Sequence, residues 1–434
     1  MNKLAVLLIA VLVLSNSLSA IAQVEKCGTM KLLQEHLDQN PALQSQMQAS
    51  EANANAWADA VANKTSTIIT IPTVVHVIHN LSNPDQNIPD SVIFSQIDVL
   101  NEDFRRMNAD AVNTRPIFDS IAADVEVQFC LAAMDTAGNT ITGINRVATT
   151  ETGFEIGFGG MDDMKITASG GADAWPRDEY LNIWVCNMTF LGIPGAILGF
   201  AQFPGDDAST DGVVIQYNFV GRTLDPVQSD SSLGRTTTHE VGHWLGLRHI
   251  WADDQDFFGN ATCDSSDFVD DTPNQEGQSN YDCNMNINSC SAEAPYWGTT
   301  DPPDMVENYM DYSTDDCSNM FSAGQKTRML SFLNTDRLPL LSATACTLVG
   351  LDDVETSQRL SLYPNPCSGI FNIKQEHLRT ETLLQVFNSF GQLVFEKSIK
   401  DDTSIDVSHL SLGMYFVRKM SGASYVSTRL LISQ

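Results

Sequence analysis

The stretch His239-Glu240-Val241-Gly242-His243-Trp244-Leu245-Gly246-Leu247-Arg248-His249 gathers three of the chain's eight histidines within a single short segment. On a helix, His239 and His243 lie four residues apart and project from one face, so two imidazoles reach the same ion. A third ligand has to return from beyond the helix. Gly246 tolerates the left-handed conformation that ends a helix, and the chain can then swing His249 back to the metal. Three protein ligands leave the fourth tetrahedral position to water, which is the arrangement of a catalytic rather than a structural zinc. Zinc lowers the pKa of such a water from 15.7 to roughly 7, and Glu240 stands beside the first ligand as the base that takes its proton during attack on a carbonyl. The chemistry implied is metal-assisted hydrolysis of a peptide bond. Ordinary helix histidines are the bland reading, but a glutamate and a glycine at the two other constrained places argue against it.

Composition sets the surroundings of this motif. A chain of 434 residues is long enough for two domains plus processing segments. Its net charge of -30 argues against nucleic-acid backbones and anionic membranes as partners, and favours solubility and calcium. Lys3 precedes an apolar run from Leu4 to Leu14, and Ala20-Ile21-Ala22 offers a small-residue cleavage site, so residues 1–22 read as a signal peptide. That run is too short to cross a bilayer, and no later stretch approaches the roughly 18 apolar residues of a transmembrane helix. Residues 23–66 are rich in Gln, Asn and Ala with helix-like patterning but few large apolar side chains, and they read as a propeptide. Cys27 within it is a leftover cysteine in an exported chain, which calls for a partner unless it is incidental.

From residue 67 the pattern is of strands interleaved with helices. Strands are expected at Thr70 to His79, Val125 to Ala132, Leu181 to Cys186 and Val213 to Tyr217, with an amphipathic helix near Ile93 to Arg105 and the zinc-motif helix running to Leu247. This predicts an α+β domain with a twisted mixed sheet, over residues 67–348. Beyond His249 the chain is irregular and polar. Cys263, Cys283, Cys290 and Cys317 fall there, and four cysteines in an exported chain allow three disulfide connectivities. Cys130 and Cys186 sit on expected strands, where a bridge or two buried thiols are both possible.

Downstream, Asn308-Tyr309-Met310-Asp311-Tyr312 looks like the methionine turn of the metzincin metallopeptidases. The spaced blocks His-Glu-Val-Gly-His-Trp-Leu-Gly-Leu, Asp271-Thr272-Pro273, Asn-Tyr-Met-Asp-Tyr-Ser, Cys317, Met320-Phe321 and Gly324-Gln325 together resemble the pappalysin family, cytophagalysin branch, over roughly residues 70–345. The resemblance implies a metzincin-type catalytic domain with zinc in the cleft and an irregular C-terminal subdomain. It places Met310 as an apolar floor beneath the metal and Tyr312 as a phenol able to donate to the oxyanion. Gly199-Phe200-Ala201-Gln202-Phe203-Pro204 looks like the edge strand to which an extended substrate adds. Cys27-Gly28-Thr29 resembles a cysteine switch, in which a thiolate takes the open zinc position and keeps a zymogen silent. The same resemblance selects the pairs Cys263–Cys290 and Cys283–Cys317. It implies a calcium site from Asp267, the Asp270 carbonyl, Thr272 and Glu276, where a merely solvated acidic loop is the alternative. It also puts Asp316 in the pocket for the residue after the scissile bond, where a carboxylate favours Arg or Lys. Asp315 is adjacent, and spacing does not say which of the two faces the pocket.

Residues 349–434 form a linker followed by short alternating strands with turns, a small all-β sandwich. Tyr363-Pro-Asn-Pro366, Phe390-Gly-Gln392 and Leu412-Gly-Met-Tyr-Phe-Val-Arg-Lys419 resemble the C-terminal sorting domain of type IX secretion, with an adhesive sandwich as the competing reading. Taken together, the expected protein is a secreted zinc endopeptidase made as a zymogen, with zinc, calcium, peptide substrates and the type IX secretion machinery as its partners. The rival from another class is a surface binding protein that keeps the scaffold without turnover; the presence of Glu240 and all three histidines weighs against it.

Overall fold

The structure is a computed structural model that describes residues 25–60, 68–157, 159–195, 197–222, 232–253, 263, 265–279, 283–291, 296–298, 300–346, 361–374, 382–388, 393–400, 403–421 and 424–432. The expected signal peptide and the linker before the last domain lie outside the described residues. Contacts divide the chain into two compact units, Met1–Leu348 and Val349–Gln434.

The first unit is built on a seven-stranded sheet. Its strands are β1 (Glu25–Cys27), β2 (Ile69–Asn80), β3 (Val127–Leu131), β4 (Ile144–Thr149), β5 (Leu181–Cys186), β6 (Ile197–Ala201) and β7 (Val213–Gln216). Their order is β1-β6-β7-β5-β2-β3, with β4 also paired to β2. β2, β3, β4, β5 and β7 are mutually parallel, whereas β6 runs antiparallel to β7. Helices cover the sheet, and β2, β5 and β7 are accordingly buried almost throughout, which is why they read as apolar runs rather than as clean alternation.

Two helices follow β1, α1 (Thr29–Gln39) and α2 (Leu43–Ala60); α3 (Asp90–Phe104), α4 (Arg235–Trp244) and α5 (Ala323–Leu333) pack the catalytic part. All ten residues of α4 are buried. A helix that is buried all round sits between layers, here between the sheet and the segment around Met310. α5 starts with a capping box: Ser322 accepts from the Gln325 amide, and the Gln325 side chain accepts from the Ser322 amide.

One helix boundary differs from expectation. α4 stops at Trp244 rather than Leu247, because Gly246 adopts φ +92°. The Leu247 amide donates to Gly242 O and the Gly246 amide to His243 O, which closes the helix end. A Cβ at Gly246 would lie 2.1 Å from the Phe332 ring, so close packing demands glycine here as well.

The irregular region after His249 is tied by two disulfides, Cys263–Cys290 and Cys283–Cys317. A third, Cys130–Cys346, fastens the end of the first unit to β3, while Cys186 remains a buried thiol. The second unit is all β. A three-stranded sheet from Ser361–Tyr363, Ile370–Lys374 and Thr403–Asp406 and a four-stranded sheet from Thr382–Asn388, Leu393–Ile399, Gly413–Ser421 and Ser424–Ile432 share one core around Phe371, Val386, Val417 and Leu430.

Candidate metal centre and active site

His239 and His243 project from α4, and the turn at Gly246 brings His249 to them. The three Nε2 atoms stand 3.1–3.2 Å apart. Each Nδ1 is committed elsewhere: His239 to Tyr309 O at 2.7 Å, His243 to Leu247 O at 2.8 Å, and His249 to the Asp253 carboxylate. Since those oxygens only accept, each Nδ1 carries the proton and each Nε2 turns a lone pair toward the same point. Burial, followed by the neighbouring imidazoles, holds His239 and His243 well below the usual histidine range, so they are neutral. Three converging lone pairs have no hydrogen to share, and one cation resolves them. Imidazoles on one tetrahedral zinc sit about 3.3 Å apart, close to the spacing observed. The residues therefore fit the ion that the motif implies.

Around this centre lie residues the motif does not contain. Asp253 orients His249 in the manner of a carboxylate–histidine–zinc triad. Asp103 on α3 accepts from Thr238 on α4 and from the Tyr309 hydroxyl, both at 2.8 Å, so it ties the zinc helix to the carbonyl that orients His239. Neither acid carries a local sequence signal. Met310 lies fully buried under α4. A Cβ on Gly242 would fall 2.5 Å from Met310 Sδ, so this glycine admits the methionine. Gly242→Ala is expected to destabilise the protein by about 1–3 kcal/mol; thermal unfolding checks it, and an unchanged midpoint would refute the close contact.

Cys27 is brought into the centre. Its Sγ and the three histidine nitrogens all lie within 4.8 Å of one another, the single such group among the described residues. β1 delivers it by pairing parallel with β6, Cys27 opposite Gly199, and the Gly28 amide donates to Gly199 O. Glu240 lies beneath. Its Oε2 accepts from the Thr29 hydroxyl at 3.0 Å and from Cys27 Sγ at 3.3 Å, while its buried Oε1 has no hydrogen-bond partner among the described residues. Burial pushes Glu240 up to about 8, against the hydrogen bonds from Cys27 and Thr29 and the charge of Lys26. Gly199 makes room: a Cβ there would sit 2.9 Å from Glu240 Cγ. Tyr312 closes the other side, its ring against His249 and its hydroxyl donating to Cys27 O at 3.2 Å.

Next to Cys27, Lys26 is buried and donates from Nζ to Ser313 O at 2.7 Å, with an Asp315 oxygen at 4.0 Å. Asp316, by contrast, is exposed. Lys26 was not singled out by sequence reasoning, and Thr29 entered only as the end of the Cys27-Gly28-Thr29 motif; adjacency to Cys27 was the available signal for both. In the acidic loop, Asp267 and Thr272 come together, the hydroxyl donating to the carboxylate at 2.9 Å, whereas Asp270 and Glu276 are exposed. Burial pushes Asp267 up to about 8.

The chain's first described segment is also held at a distance from the centre. His36 on α1 lies between two carboxylates, donating from Nδ1 to Asp206 at 2.6 Å and from Nε2 to Asp162 at 2.8 Å. Glu51 on α2 pairs with both terminal nitrogens of Arg328, and Ser50 donates to Asp336 at 2.6 Å.

A twisted mixed sheet, a buried His-Glu-x-x-His helix and a glycine turn returning a third histidine over a buried methionine define a metzincin-like zinc metalloendopeptidase. Residues 165–334 match the family described as pregnancy-associated plasma protein-A, and residues 361–433 match the secretion system C-terminal sorting domain. The chain belongs to the pregnancy-associated plasma protein-A family of metallopeptidases. It is 31% identical over 293 residues to an extracellular metalloprotease of Pyricularia oryzae, covering 66% of this chain and 83% of that one. With an extracellular metalloprotease of Arthroderma benhamiae it shares 32% over 288 residues, covering 64% and 77%. Among solved structures, promirolysin of Tannerella forsythia is 39% identical with a TM-score of 0.61, covering 73% of this chain and 97% of that one. Mature mirolysin of the same organism in complex with a cleaved peptide is 43% identical with a TM-score of 0.57, covering 66% and 100%. The protein is secreted or displayed at the cell surface, and no helix among its described residues is long and apolar enough to cross a membrane.

Proposed function

We propose that the protein is a latent endopeptidase that hydrolyses peptide bonds on the amino side of Arg or Lys, with Glu240 as general base and Cys27 as the residue that blocks the centre. The observation that carries this reading is the convergence of Cys27, Glu240 and the three histidines on one buried point. His239, His243 and His249 would hold zinc, which when bound supplies a polarising charge and a water with a pKa near roughly 7. Glu240 Oε1, buried and without a hydrogen-bond partner among the described residues, carries the lone pair that receives the water's proton. Tyr312 donates its hydroxyl to the carbonyl oxygen as negative charge gathers there. β6 offers its edge to an extended substrate, the place that β1 now fills.

Residues 23–66 are the propeptide in this reading, 67–348 the catalytic domain, and 349–434 the linker and type IX sorting domain. The greater coverage by promirolysin than by mature mirolysin is consistent with a segment that processing removes. The specificity carboxylate is Asp315 rather than Asp316, because Asp315 turns inward beside a buried lysine while Asp316 faces solvent. Lys26 stands there as the chain's own basic side chain. A digest of proteome-derived peptides by the processed protein, run beside Glu240→Ala, tests activity and specificity together. Cleavage before Arg and Lys by the wild type alone is expected; equal cleavage by both proteins, or a profile dominated by apolar residues after the bond, defeats the proposal.

Calcium binding is assigned to the loop around Asp267 and Thr272, where a buried carboxylate raised to about 8 has no basic side chain hydrogen-bonded to it among the described residues. A cation there would offset the cost of burying the charge. Chelation of calcium is expected to lower the unfolding midpoint by several degrees, about what 1–2 kcal/mol gives a domain of this size; an unmoved midpoint counts against the site.

Docking of the propeptide is expected to weaken at alkaline pH. Burial disfavours the His36 charge, but hydrogen bonds to Asp162 and Asp206 and the charges of those groups outweigh it and push His36 up to about 9. A pKa raised above the free value of about 6.5 stabilises docking fully below that pH and loses the contribution as pH rises through 9. Lys165 pairs with Asp162 in the same cluster, and hydrogen bonds from Ser209 hold Asp207 below the usual carboxylate range. Propeptide processing by an added protease should therefore accelerate between pH 7 and 10 in the wild type and not in His36→Gln. Identical profiles for the two would rule out the histidine.

A further inference from the structure

Arg248 and Arg328 both meet the propeptide: Met30 contacts the first and Glu51 pairs with the second. Arg328 keeps its Nε on Gly246 O at 2.8 Å, but both terminal nitrogens go to Glu51 of α2, at 2.5 and 2.8 Å. Arg248 has a thioether contact to Met30 of α1 at 3.8 Å as its hydrogen bond and lies 4.7 Å over the Phe203 ring. Burial disfavours the Arg248 charge, while Asp253, hydrogen-bonded to His249, and then Glu51 of the propeptide favour it against the charge of Arg328. The floor between them is apolar, with Phe268 and Phe332 each 5.1 Å from the Arg328 guanidinium.

α2 covers this groove incompletely. Only Leu43, Ser50 and Ala54 of its eighteen residues are buried, and a cavity of about 270 Å³ remains between Leu37 and Met47 on the propeptide side and Phe203, Arg248 and Phe332 on the other. Removal of the propeptide takes from Arg328 its paired carboxylate, Glu51, and from Arg248 its Met30 contact, with aromatic rings left around both.

The position of the groove follows from the order of β1 and α1 across the centre, and here the inference rests on the proposed placement of the substrate. Lys26 lies in the Asp315 pocket, Cys27 at the histidines, and Met30 beside Arg248. A substrate whose basic residue after the scissile bond takes the Asp315 pocket must run its preceding residues toward Arg248. Met30 follows Cys27 by three residues, in the first turn of α1.

We infer that in the processed protein Arg248 and Arg328 form a subsite for an acidic side chain of the substrate, about three to five residues before the scissile bond. The guanidinium forks match a carboxylate, and the aromatic walls take the aliphatic stem of a glutamate. The rest of this strongly acidic protein repels such a substrate, so the pair supplies a local attraction against the mean field.

The test uses processed protein and peptide pairs with one Lys after the scissile bond that differ only by Glu or Gln at each of positions two to six before it. The expected result is a five- to tenfold higher kcat/KM for Glu at one or two adjacent positions, carried by KM, and falling to about one in Arg248→Gln. Arg248→Glu should instead prefer Lys at that position. Arg328→Gln provides the second arm, and because the readout is a ratio between two peptides on one protein, a general loss of activity does not mimic the effect. A ratio near one at every position in the wild type, or a preference that persists in both arginine variants, overturns the inference and leaves the groove to the propeptide alone. If no peptide is cleaved at all, the peptidase reading fails separately, and binding of fluorescent Glu and Gln peptides to the processed protein decides the subsite.

Discussion

Glu240→Gln is expected to lower kcat/KM of the processed protein by about two to four orders of magnitude while its zinc content stays unchanged, the range that general-base catalysis contributes. The amide keeps the shape of the side chain and its place under Gly199, where a Cβ would already stand 2.9 Å from Glu240 Cγ. It cannot receive a proton at the position of Oε1, the one oxygen of the carboxylate that has no partner among the described residues. None of the three histidines touches Glu240 through its Nδ1, since those protons go to Tyr309 O, Leu247 O and Asp253. Metal retention measured by atomic absorption therefore separates loss of the base from loss of the site. Activity within tenfold of the wild type would remove Glu240 from the role of base.

Cys27→Ala in the full-length protein is expected to speed activation by at least about tenfold, a change worth 1.4 kcal/mol or more in the stability of the blocked state. The thiol supplies the fourth group at the centre and a contact to Glu240 at 3.3 Å. Latency should not vanish entirely. β1 still pairs with β6, Thr29 still bonds Glu240 at 3.0 Å and Lys26 still bonds Ser313 O. Glu51 and His36 hold the helices from outside the cleft. A time course of processing, followed by gel and by peptide hydrolysis, checks this. An unchanged lag would mean that Cys27 is a bystander and that the remaining contacts hold the propeptide unaided.

The parts of this protein that read correctly from the chain are those governed by spacing. The four-residue interval of His239 and His243, the glycine turn at Gly246 and the apolar runs of β2 and β5 are local patterns with one sensible geometry. The disulfides Cys263–Cys290 and Cys283–Cys317 came instead from the family resemblance, since spacing alone left three connectivities. The helix boundary at Trp244 was set by one left-handed residue, and its end was placed three residues late from periodicity.

What the chain order hides is everything joined across long separations. Asp103 reaches α4 and Tyr309, Asp253 reaches back to His249 through an irregular turn, and Cys130 pairs with Cys346 rather than with Cys186. Between Asp315 and Asp316 no pattern distinguishes the inward carboxylate, because adjacent residues in a turn have no fixed period. The amides of Leu233 and Arg235 at the start of α4, which donate to Asp315 Oδ2 at 2.9 and 3.1 Å, turn one inward. The sequence by itself determined the metal chemistry, since ligand type and interval on a helix suffice to aim imidazoles at one ion. Tertiary structure alone decided what stands over that ion, because Lys26 and Thr29 meet the centre only after the sheet has brought β1 alongside β6.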